Sequence, residues 1–419
     1  MDNDDFVNRI IDEVNNNEVA FCKFLAVNDT IRATSHQCGI YIPNIAAEKL
    51  LFNTKLIRGA NLRHGPVRIN WQNASYQTDS MFIYYGAAKD ECRITSFGRN
   101  FPFLRENDIG DLFILIKISK DEYNAYLLTT DDTINSFLDY FGMSPVDTNS
   151  VIVKKVSIGV NKKNTKELRA SEEIDAFECV TPIEKIKRQE IIAFVDRIHA
   201  EFPGARVMSK MAREIYENIY DHRENVIKKP DYELIGWINL EYELFCSIEE
   251  RHYAQTIFHG FKNMEDFIEI ANSVLNRRKS RAGKSLENNL EELFIENNLM
   301  FESQVVTELN KKPDFVFPGS KAYHDMSFDN NKLVVLGAKT TCKDRWRQVI
   351  TEADRVKQRY LCTLQQGNSP AQLKEMKQEC VTLVVPKPYI TTYPKEYRED
   401  IMDLATFIAF VKGKEDLIR

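Results

Sequence analysis

The stretch KKPDFVFPGSKAYHDMSFDNNKLVVLGAKTTCKDRWRQVITEADRVKQRY, residues 311–360, decides the fold of the second half of the chain. The apolar alternation that follows Asp314 predicts one strand, and the apolar run 332–339, which ends on Lys339, predicts another. Apolar residues at helical spacing then predict a helix over residues 343–360. An acid and a lysine at the ends of neighbouring strands suit metal-assisted phosphodiester cleavage, because the carboxylate holds a divalent ion and the ammonium offsets charge on the phosphate.

The second acid of such a site is displaced along the sequence from its usual position. Nucleases of this kind have an acid two residues before the lysine, but this position holds Gly337. Glu352 lies thirteen residues after Lys339, off the apolar stripe of the predicted helix and on the same face as Arg345. Asp314 and Glu352 are therefore the predicted metal ligands, and oxygen ligands without a His/Cys cluster predict Mg²⁺. Taken alone, the acid and the lysine also fit two solvated strand ends.

The run KTTCKDRWRQ, residues 339–348, with Pro313 and Asp314 before it and Glu352 after it, resembles the EcoRII-type type II restriction endonucleases of the PD-(D/E)XK superfamily. That family carries the displaced glutamate as its rule. The resemblance implies a restriction-endonuclease-like α/β core with the order α-β-β-β-α-β and its site at the strand ends. It also implies that Glu287 is a supporting catalytic acid and that Tyr323 lies in the active-site region, although packing alone would also explain Tyr323.

A set of donors and acceptors suited to G·C pairs opens the predicted helix after Lys339. Arginine contacts guanine bidentately and aspartate accepts from cytosine N4. By the resemblance this segment reads a CC…GG half-site, with the central base or bases unspecified. Trp346 follows the apolar stripe and is a core candidate. The candidate residues for target reading are Lys343, Asp344, Arg345 and Arg347.

The densest basic run, RRKSRAGK at residues 277–284, leads into a predicted helix over 285–299. It fits phosphate contact, with Gly283 allowing close approach, or a solvated loop. A helical preface precedes it from residue 191. Trp237 and Tyr242 lie there and fit either stacking on an extruded base or a core, and the resemblance places Tyr242 near the flipped central base. The basic candidates for target binding are Arg277, Arg278, Arg281 and Lys284.

The first part of the chain has short apolar runs separated by Gly, Asn, Asp and Pro, which predicts an antiparallel barrel or sandwich. Two polar stretches, 28–37 and 93–99, carry side chains that bind base edges and phosphates, or they are ordinary hairpin loops. The resemblance implies a pseudobarrel DNA-binding domain, related to plant transcription-factor domains, that binds a second, effector copy of the target. The candidate effector-binding residues are Lys23, His36, Gln37, Arg93, Thr95, Ser96 and Arg99.

Composition and charge set the remaining limits. The chain has 419 residues, of which 43% are hydrophobic, and a net charge of −6, so DNA binding has to rest on local basic clusters. Its eight cysteines form no CxxC pair and read as reduced thiols. The polar N-terminus and the absence of an apolar run of about 18 residues predict no signal peptide and no membrane span, and the resemblance implies a location in the bacterial cytosol.

We predict an α+β protein with an effector DNA-binding β-barrel domain at 1–165, a charge-rich linker at 166–190 and a catalytic domain at 191–419. The predicted activity is Mg²⁺-dependent cleavage of both strands of unmethylated double-stranded DNA at a CC(N)GG-like site, leaving 5′-phosphates. A symmetric target favours a homodimer that binds two or more target copies, and the family implies a cognate methyltransferase.

Two other functions compete with this prediction. One is a sequence-specific DNA-binding regulator without cleavage, against which Asp314, Lys339 and Glu352 argue. The other is a nicking or repair nuclease of the same fold, which the segment 343–345 and a separate target-binding domain disfavour.

Overall fold

The computed structural model describes residues 3–30, 39–149, 151–153, 182–198, 202–220 and 224–417. These residues form an eight-stranded sheet in the N-terminal part and a five-stranded mixed sheet in the C-terminal part, with long helices between them. The mixed α+β class that the sequence predicts is confirmed. The division at residues 165 and 190 stays a prediction, because most of the predicted linker lies outside the described residues.

The N-terminal part is a sheet covered on one face by two helices. Its strand order is β2-β5-β4-β3-β7-β6-β1-β8, and among the pairings only β3 with β7 is parallel. In chain order its elements are α1 Asn3–Asn16, β1 Val19–Phe24, β2 Ile40–Ile42, α2 Asn44–Ala47, β3 Asn61–Trp71, β4 Tyr76–Tyr85, β5 Cys92–Thr95, β6 Leu112–Lys117, β7 Glu122–Leu128, α3 Asp131–Tyr140 and β8 Val151–Val153.

Two apolar clusters explain why these segments form one sheet. Strands β1 to β7 all contribute side chains to a core on one face, around Trp71, so the sheet curls about this core. On the opposite face α1 and α3 pack their apolar stripes against β1, β6 and β7. Strand β1 alternates between the two cores and is therefore apolar along nearly its whole length. Closure of the curled sheet into a pseudobarrel stays a prediction.

Five helices connect the two sheets: α4 Pro182–Arg197, α5 Ala205–Tyr220, α6 Asn225–Lys228, α7 Pro230–His259 and α8 Met264–Glu296. The predicted start of a helix at residue 285 is wrong, because α8 begins at Met264 and continues through the basic run 277–284 without interruption. Arginine, lysine, alanine and serine are compatible with a helix, and one glycine costs only about 1 kcal/mol there. Charge alone therefore gives no reason for the helix to end.

The C-terminal sheet has the order β13-β12-β11-β10-β9, parallel from β11 to β13 and antiparallel from β11 to β9. Helices α8 and α13 pack on one of its faces. Its elements are β9 Glu302–Ser303, β10 Phe315–Phe317, α9 Ser320–His324, β11 Val334–Lys339, α10 Trp346–Ile350, β12 Arg359–Thr363, α11 Pro370–Gln378, β13 Val381–Val384, α12 Lys387–Ile390 and α13 Leu404–Asp416.

The helix predicted over 343–360 is wrong in extent, and the strand that follows was missed. Helix α10 covers five residues, and Ala353 and Val356 are buried from a turn rather than from a helix face. Strand β12 then begins at Arg359 and pairs in parallel with β11. Apolar spacing that resembled a helical stripe thus serves two separate cores. Within the described residues, no helix is long and apolar enough to cross a membrane.

Candidate active site

Asp314 lies directly before β10 and is held by groups on three sides. Its Oδ2 accepts a hydrogen bond from the backbone N–H of Ala338 at 2.7 Å. The same oxygen forms an ion pair with Lys339 Nζ at 3.2 Å. Its Oδ1 accepts from Gln304 Nε2 at 3.1 Å. Strands β10 and β11 are antiparallel neighbours, so the acid before one and the lysine at the end of the other meet. The predicted pairing of Asp314 with Lys339 is therefore present.

Glu352 reaches the same site from the turn after α10. A Cβ built on Gly337 would lie 3.6 Å from Glu352 Oε2, so this carboxylate stands beside the position of the missing acid. The backbone oxygen of Glu352 accepts from Thr307 Oγ1 at 2.5 Å, which fixes the turn. Burial raises the pKa of Glu352, and Asp314 adds to the rise while Lys339 opposes it.

The two carboxylates fit a divalent cation. Glu352 Oε2 is buried and has no hydrogen-bond partner within the described part of the chain, and an unpaired buried carboxylate oxygen is costly unless a cation is bound to it. Among the described residues, no three His, Cys, Asp or Glu side chains are grouped so that they could hold a metal ion together. A cation held by Asp314 and Glu352 therefore keeps positions for water and substrate oxygens, as Mg²⁺ does in phosphate chemistry.

A cavity of about 270 Å³ opens beside Asp314, between the first turn of α5, the middle of α8 and strand β9. Glu287 and Lys284 lie on its wall and form an ion pair at 2.7 Å. The predicted supporting acid thus lies next to the candidate metal site. Tyr323 does not line this cavity: its side chain is buried on α9, and its hydroxyl donates to Glu308 Oε2 at 2.6 Å. Packing explains this position, and the place of Tyr323 in the active-site region stays a prediction.

Gln304 is a site residue that the sequence reasoning missed. It follows β9, and its side chain lines the cavity and donates to Asp314, while its backbone N–H donates to the Asp314 carbonyl at 3.1 Å. The signal was available in the register of the two strands. Antiparallel pairing of Ser303 with Phe315 places residue 304 directly opposite residue 314.

The predicted target-reading segment lies against the N-terminal part of the same chain. Lys343 is buried, and its Nζ is 2.6 Å from Asp111 Oδ1. The carboxylate of Asp131, at the first residue of α3, accepts the backbone N–H groups of Lys343 at 3.0 Å, Asp344 at 2.7 Å and Arg345 at 2.8 Å. The polar groups of this segment are therefore occupied by carboxylates and are not open to DNA in this structure.

The remaining side chains of the segment also have partners. Asp344 Oδ1 accepts the backbone N–H of Asp131, Arg345 pairs with Asp132 at 3.0 Å, and Arg347 pairs with Glu375 at 2.8 Å. The last two pairs are exposed and individually weak. Trp346 is fully buried, as its position in the apolar stripe predicts.

Two of the basic candidates on α8 bind other groups of the chain and are less exposed than predicted. Arg278 pairs with Glu249 and donates to the carbonyl of Tyr140, and Arg281 is buried and donates to the carbonyl of Gly142 at 2.8 Å. Both arginines thus join α8 to the end of α3. Their predicted contact with phosphate is contradicted for this arrangement of the chain. Lys284 faces the cavity.

Arg277 and the two aromatic candidates are also partnered. Arg277 donates to the hydroxyl of Tyr253 and lies over the ring of Phe202. Trp237 is 2% exposed in the core beneath α8, so its predicted contact with DNA is wrong. Tyr242 packs against the N-terminal core, under the guanidinium of Arg281 at 5.0 Å. Helical spacing of an aromatic indicated a core position in both cases.

The effector-binding candidates separate into buried and exposed groups. Lys23 is 4% exposed, with its Nζ 2.7 Å from Asp29 and 3.1 Å from the carbonyl of Tyr41. It stabilises the start of the segment before β2, and its predicted direct contact with DNA is contradicted. Arg93 is half-buried and donates to Glu91 and to the carbonyl of Gly39, both at 3.0 Å.

The loop after β5 remains a candidate surface for nucleic acid. Thr95 donates to the carbonyl of Met81 at 3.3 Å, whereas Ser96 and Arg99 are exposed. Phe97 between them is buried against Trp71 and anchors the loop. The candidates His36 and Gln37 lie outside the described residues.

Comparison with known proteins gives matches along nearly the whole chain. The family described as EcoRII C terminal matches residues 245–408, and the family described as restriction endonuclease EcoRII, N-terminal, matches residues 14–138. The chain is 34% identical over 420 residues to the type II restriction enzyme EcoRII of Escherichia coli, and the alignment covers 97% of each protein.

Solved structures of restriction endonucleases are more distant. Metal-depleted Ecl18kI in complex with uncleaved, modified DNA has a TM-score of 0.43 at 18% identity, covering 54% of this chain and 84% of that one. A complex of the restriction endonuclease PspGI with substrate DNA has a TM-score of 0.36 at 13% identity, covering 56% of this chain and 93% of that one.

Proposed function

This chain belongs to the EcoRII family of type II restriction enzymes, and from that premise we propose that it cleaves both strands of unmethylated DNA at a short CC(N)GG-like site, using Mg²⁺ and leaving 5′-phosphates. The observation that carries the proposal is the convergence of Asp314, Lys339 and the displaced Glu352 on one buried site. A DNA-binding regulator would have no need of an unpaired buried carboxylate oxygen beside a lysine.

The residues of the site divide the reaction between them. Asp314 and Glu352 hold the divalent ion, which when bound lowers the pKa of a water molecule and stabilises charge on the phosphate. Lys339 orients the attacking water and offsets negative charge on the scissile phosphate. Gln304 and the N–H of Ala338 each hold one oxygen of Asp314, so the carboxylate is oriented before substrate arrives. Glu287 supports the water network from the cavity wall.

The N-terminal domain binds a second copy of the target and regulates cleavage. The contacts of Asp131 and Asp111 with the segment 343–345 support regulation, because reading a base edge with Lys343 or Arg345 requires these carboxylates to leave. Binding of effector DNA to the exposed loop after β5 then favours the separated arrangement. This follows from linkage: a ligand shifts an equilibrium only toward the state that it binds better.

The described residues of each chain contain one such acid pair, and a symmetric site has two scissile phosphates. A homodimer therefore places one catalytic site on each strand. In the bacterial cytosol a cognate methyltransferase protects the host's own copies of the target. A nicking enzyme is the second candidate, and the observation that favours it is the single acid pair among the residues that the structure describes.

The test is digestion of unmethylated supercoiled plasmid with Mg²⁺, followed by sequencing of the fragment ends. Discrete linear fragments with 5′-phosphates at a CC(N)GG-like site are expected. The variants Lys339→Ala and Glu352→Gln should bind the same DNA without cutting it, while Lys332→Ala, at a partly exposed lysine outside the site, should cut normally. Nicked circles alone would indicate a nicking enzyme, and specific binding without cleavage by the unmodified chain would indicate a regulator.

A further inference from the structure

Glu352 lies on the connection between α10 and β12, residues 351–358, which we call the Glu352 turn. These residues belong to no helix or strand, so no ladder of backbone hydrogen bonds fixes the metal ligand in place. Oε2 of Glu352 has no hydrogen-bond partner among the described residues, so it does not anchor the side chain either. The position of this carboxylate therefore depends on the contacts that hold the backbone of the turn.

Two apolar side chains place the Glu352 turn on strands β10 and β11. Ala353 and Val356 are buried in one cluster with Val316 of β10 and Val335 of β11. The ends of the same two strands carry the other two residues of the site. Apolar burial is non-directional, so it keeps the turn against the sheet without fixing its orientation. A directional contact has to fix the orientation.

Arg355, which stands between these two apolar residues in the sequence, makes five hydrogen bonds, as many as a guanidinium has N–H groups. Nε lies 2.7 Å from the Asn330 side-chain oxygen, and Nη2 lies 2.7 Å from the Asp325 carbonyl oxygen. All five acceptors lie on the connection between β10 and β11. They are the carbonyl oxygens of Ala322, Tyr323, Asp325 and Phe328 and the side-chain oxygen of Asn330.

We propose that Arg355 is a positioning residue for the reaction, which fixes the Glu352 turn so that Glu352 and Asp314 face one divalent ion together. The proposal rests on the proposed function, in which these two carboxylates hold Mg²⁺. Asp314 lies directly before β10, and the acceptors of Arg355 follow that strand in the chain. The hydrogen bonds of Arg355 thus tie the turn of one metal ligand to the strand that places the other.

Two contacts from the loop after β9 hold the same turn. Thr307 Oγ1 donates to the carbonyl of Glu352 at 2.5 Å, and Glu308 Oε2 accepts the backbone N–H of Asp354 at 3.3 Å. With Arg355, the turn is therefore held on both sides of Ala353. Partners that orient a metal ligand typically change metal affinity by about 10- to 100-fold when they are removed, and we expect an effect of this size from Arg355.

Lysine cannot replace this arginine. It keeps the positive charge, but its three donors sit on a single nitrogen, whereas the acceptors of Arg355 are spread over residues 322–330. Arg355→Lys is therefore the variant of choice, because it changes the hydrogen bonds and leaves the charge near the site unaltered.

The first test measures metal binding without catalysis. Mn²⁺ is the probe, because the loss of its free-ion EPR signal reports binding to the full-length chain directly. Glu352→Gln identifies the site, since the binding that this variant lacks belongs to the acid pair. Arg355→Lys should weaken this binding by about 10- to 100-fold. Asn330→Ala removes one acceptor and leaves the arginine in place, so a smaller loss of about three-fold is expected.

Arg398→Ala is the matched control. Arg398 is partly exposed, as Arg355 is, and donates to the backbone carbonyls of Thr391 at 2.7 Å and Tyr393 at 2.9 Å, outside the candidate site. It should keep the Mn²⁺ affinity of the unmodified chain. Urea denaturation of each variant separates stability from positioning, because a purely structural arginine would change the free energy of unfolding and not the affinity.

Three results would overturn the proposal. They are an unchanged Mn²⁺ affinity in Arg355→Lys, a loss in Arg398→Ala equal to that in Arg355→Lys, and the absence of any Mn²⁺ binding that depends on Glu352.

Cleavage on the same preparations gives the second readout. In single-turnover reactions, the half-saturating Mg²⁺ concentration should rise in Arg355→Lys by the same factor as the Mn²⁺ dissociation constant, and cleavage should recover at saturating Mg²⁺. DNA cleavage with a normal Mg²⁺ dependence in Arg355→Lys refutes only this inference. Mn²⁺ binding that depends on Glu352 and Arg355, without any cleavage by the unmodified chain, refutes only the proposed function.

Discussion

The side-chain amide of Gln304 orients the carboxylate of Asp314. Gln304→Leu keeps the size of the side chain but removes the donor to Asp314 Oδ1. A hydrogen bond to a charged group contributes about 1.5–3 kcal/mol, which corresponds to roughly 10- to 100-fold in rate if the bond matters equally in the transition state. We expect cleavage to fall within this range at low Mg²⁺, with partial recovery at high Mg²⁺, because the freed carboxylate still binds the ion once it is oriented.

The measurement is the single-turnover cleavage rate as a function of Mg²⁺ concentration, together with DNA affinity in Ca²⁺. Ser303→Ala is the control, because Ser303 lines the same cavity without bonding to Asp314. An unchanged Mg²⁺ dependence in Gln304→Leu, or an equal loss in Ser303→Ala, would show that Gln304 does not position the metal ligand.

Close packing requires a glycine at position 337, which also lies beside the carboxylate of Glu352. A Cβ at this position would lie 2.8 Å from Val349 Cγ2, closer than real contacts allow. Because the branched side chain of Val349 has little freedom to move, we expect Gly337→Ala to lower the free energy of unfolding by about 1–3 kcal/mol. In urea denaturation, the double variant Gly337→Ala with Val349→Ala should lose less than the sum of the single losses. Simple additivity would argue against this contact.

The sequence predicted the chemistry of these residues better than their surroundings. Asp314 and Lys339 were placed by strand ends, which local alternation specifies. Glu352 was placed on a long helix that does not exist, and it reaches the site because the chain turns back after α10. Gln304 was missed because residue type carried no signal, and only the register of two strands identifies it. Spacing along the chain records which groups are near, but tertiary packing decides which element holds them.

The first turn of α3 binds the segment 343–345, for which we predict target reading. Asp131 accepts three backbone N–H groups from residues 343–345, whereas its neighbour Asp132 makes one exposed ion pair with Arg345. Asp131→Ala leaves these N–H groups without their acceptor and weakens docking of the two domains. We expect cleavage of a short duplex with a single site to become roughly 10- to 100-fold faster, since the lost hydrogen bonds involve a charged acceptor worth about 1.5–3 kcal/mol.

Asp132→Ala is the matched control for this prediction. It removes an adjacent acid of the same helix turn, and an exposed ion pair contributes only about 0–1 kcal/mol, so the cleavage rate should change less than about three-fold. Single-turnover rates on the same duplex, with and without added effector DNA, give the comparison. A rate for Asp131→Ala that equals that of the unmodified chain without effector would contradict a closing role for α3.

Two elements show why sequence patterns failed to reveal this arrangement. The basic run on α8 has the composition of a phosphate-binding segment, yet Arg278 and Arg281 bind carbonyl groups at the end of α3. Lys343 has the composition of a base-reading residue, yet it is paired with Asp111. Residue types that bind DNA also bind carboxylates and carbonyls of the same chain, because the donors are the same. Which partner they have is decided by docking of domains, which no local pattern encodes.

The contact between the two domains is rich in acids whose titration is linked to docking. Burial raises the pKa of Asp111 to about 7, although the ammonium of Lys343 opposes the rise and Asp108 adds to it. Burial likewise raises the pKa of Asp139 to about 6 and that of Asp147 to about 6. An acid whose pKa is raised by docking binds its proton more tightly in the docked state. Docking is therefore favoured as the pH falls; it is weakened as the pH rises from about 4 to about 7, and it changes little above that range.

Asp344 and Asp131, which meet at the segment 343–345, have pKa values that are shifted in opposite directions. The hydrogen bond with Asp131 raises the pKa of Asp344 to about 6, whereas the pKa of Asp131 is lowered: burial alone would raise it, but hydrogen bonds from Asp344 and from the neighbouring backbone N–H groups outweigh burial. One proton shared by the two carboxylates is thus held by Asp344. Its loss above pH 6 leaves two anions in contact, which again weakens docking.

We therefore expect the protein to expand between about pH 4 and pH 7, as measured by the radius of gyration from small-angle scattering without DNA. Asp139→Asn should stay more compact at pH 8, because an amide resembles the protonated acid and does not acquire charge. Asp12→Asn, an exposed acid on α1, should follow the unmodified chain. Since carboxylates that ionise on opening also repel one another, the change should be steeper at low salt. A radius that is constant with pH, or one that changes identically in Asp139→Asn, would show that these acids do not govern the closed arrangement.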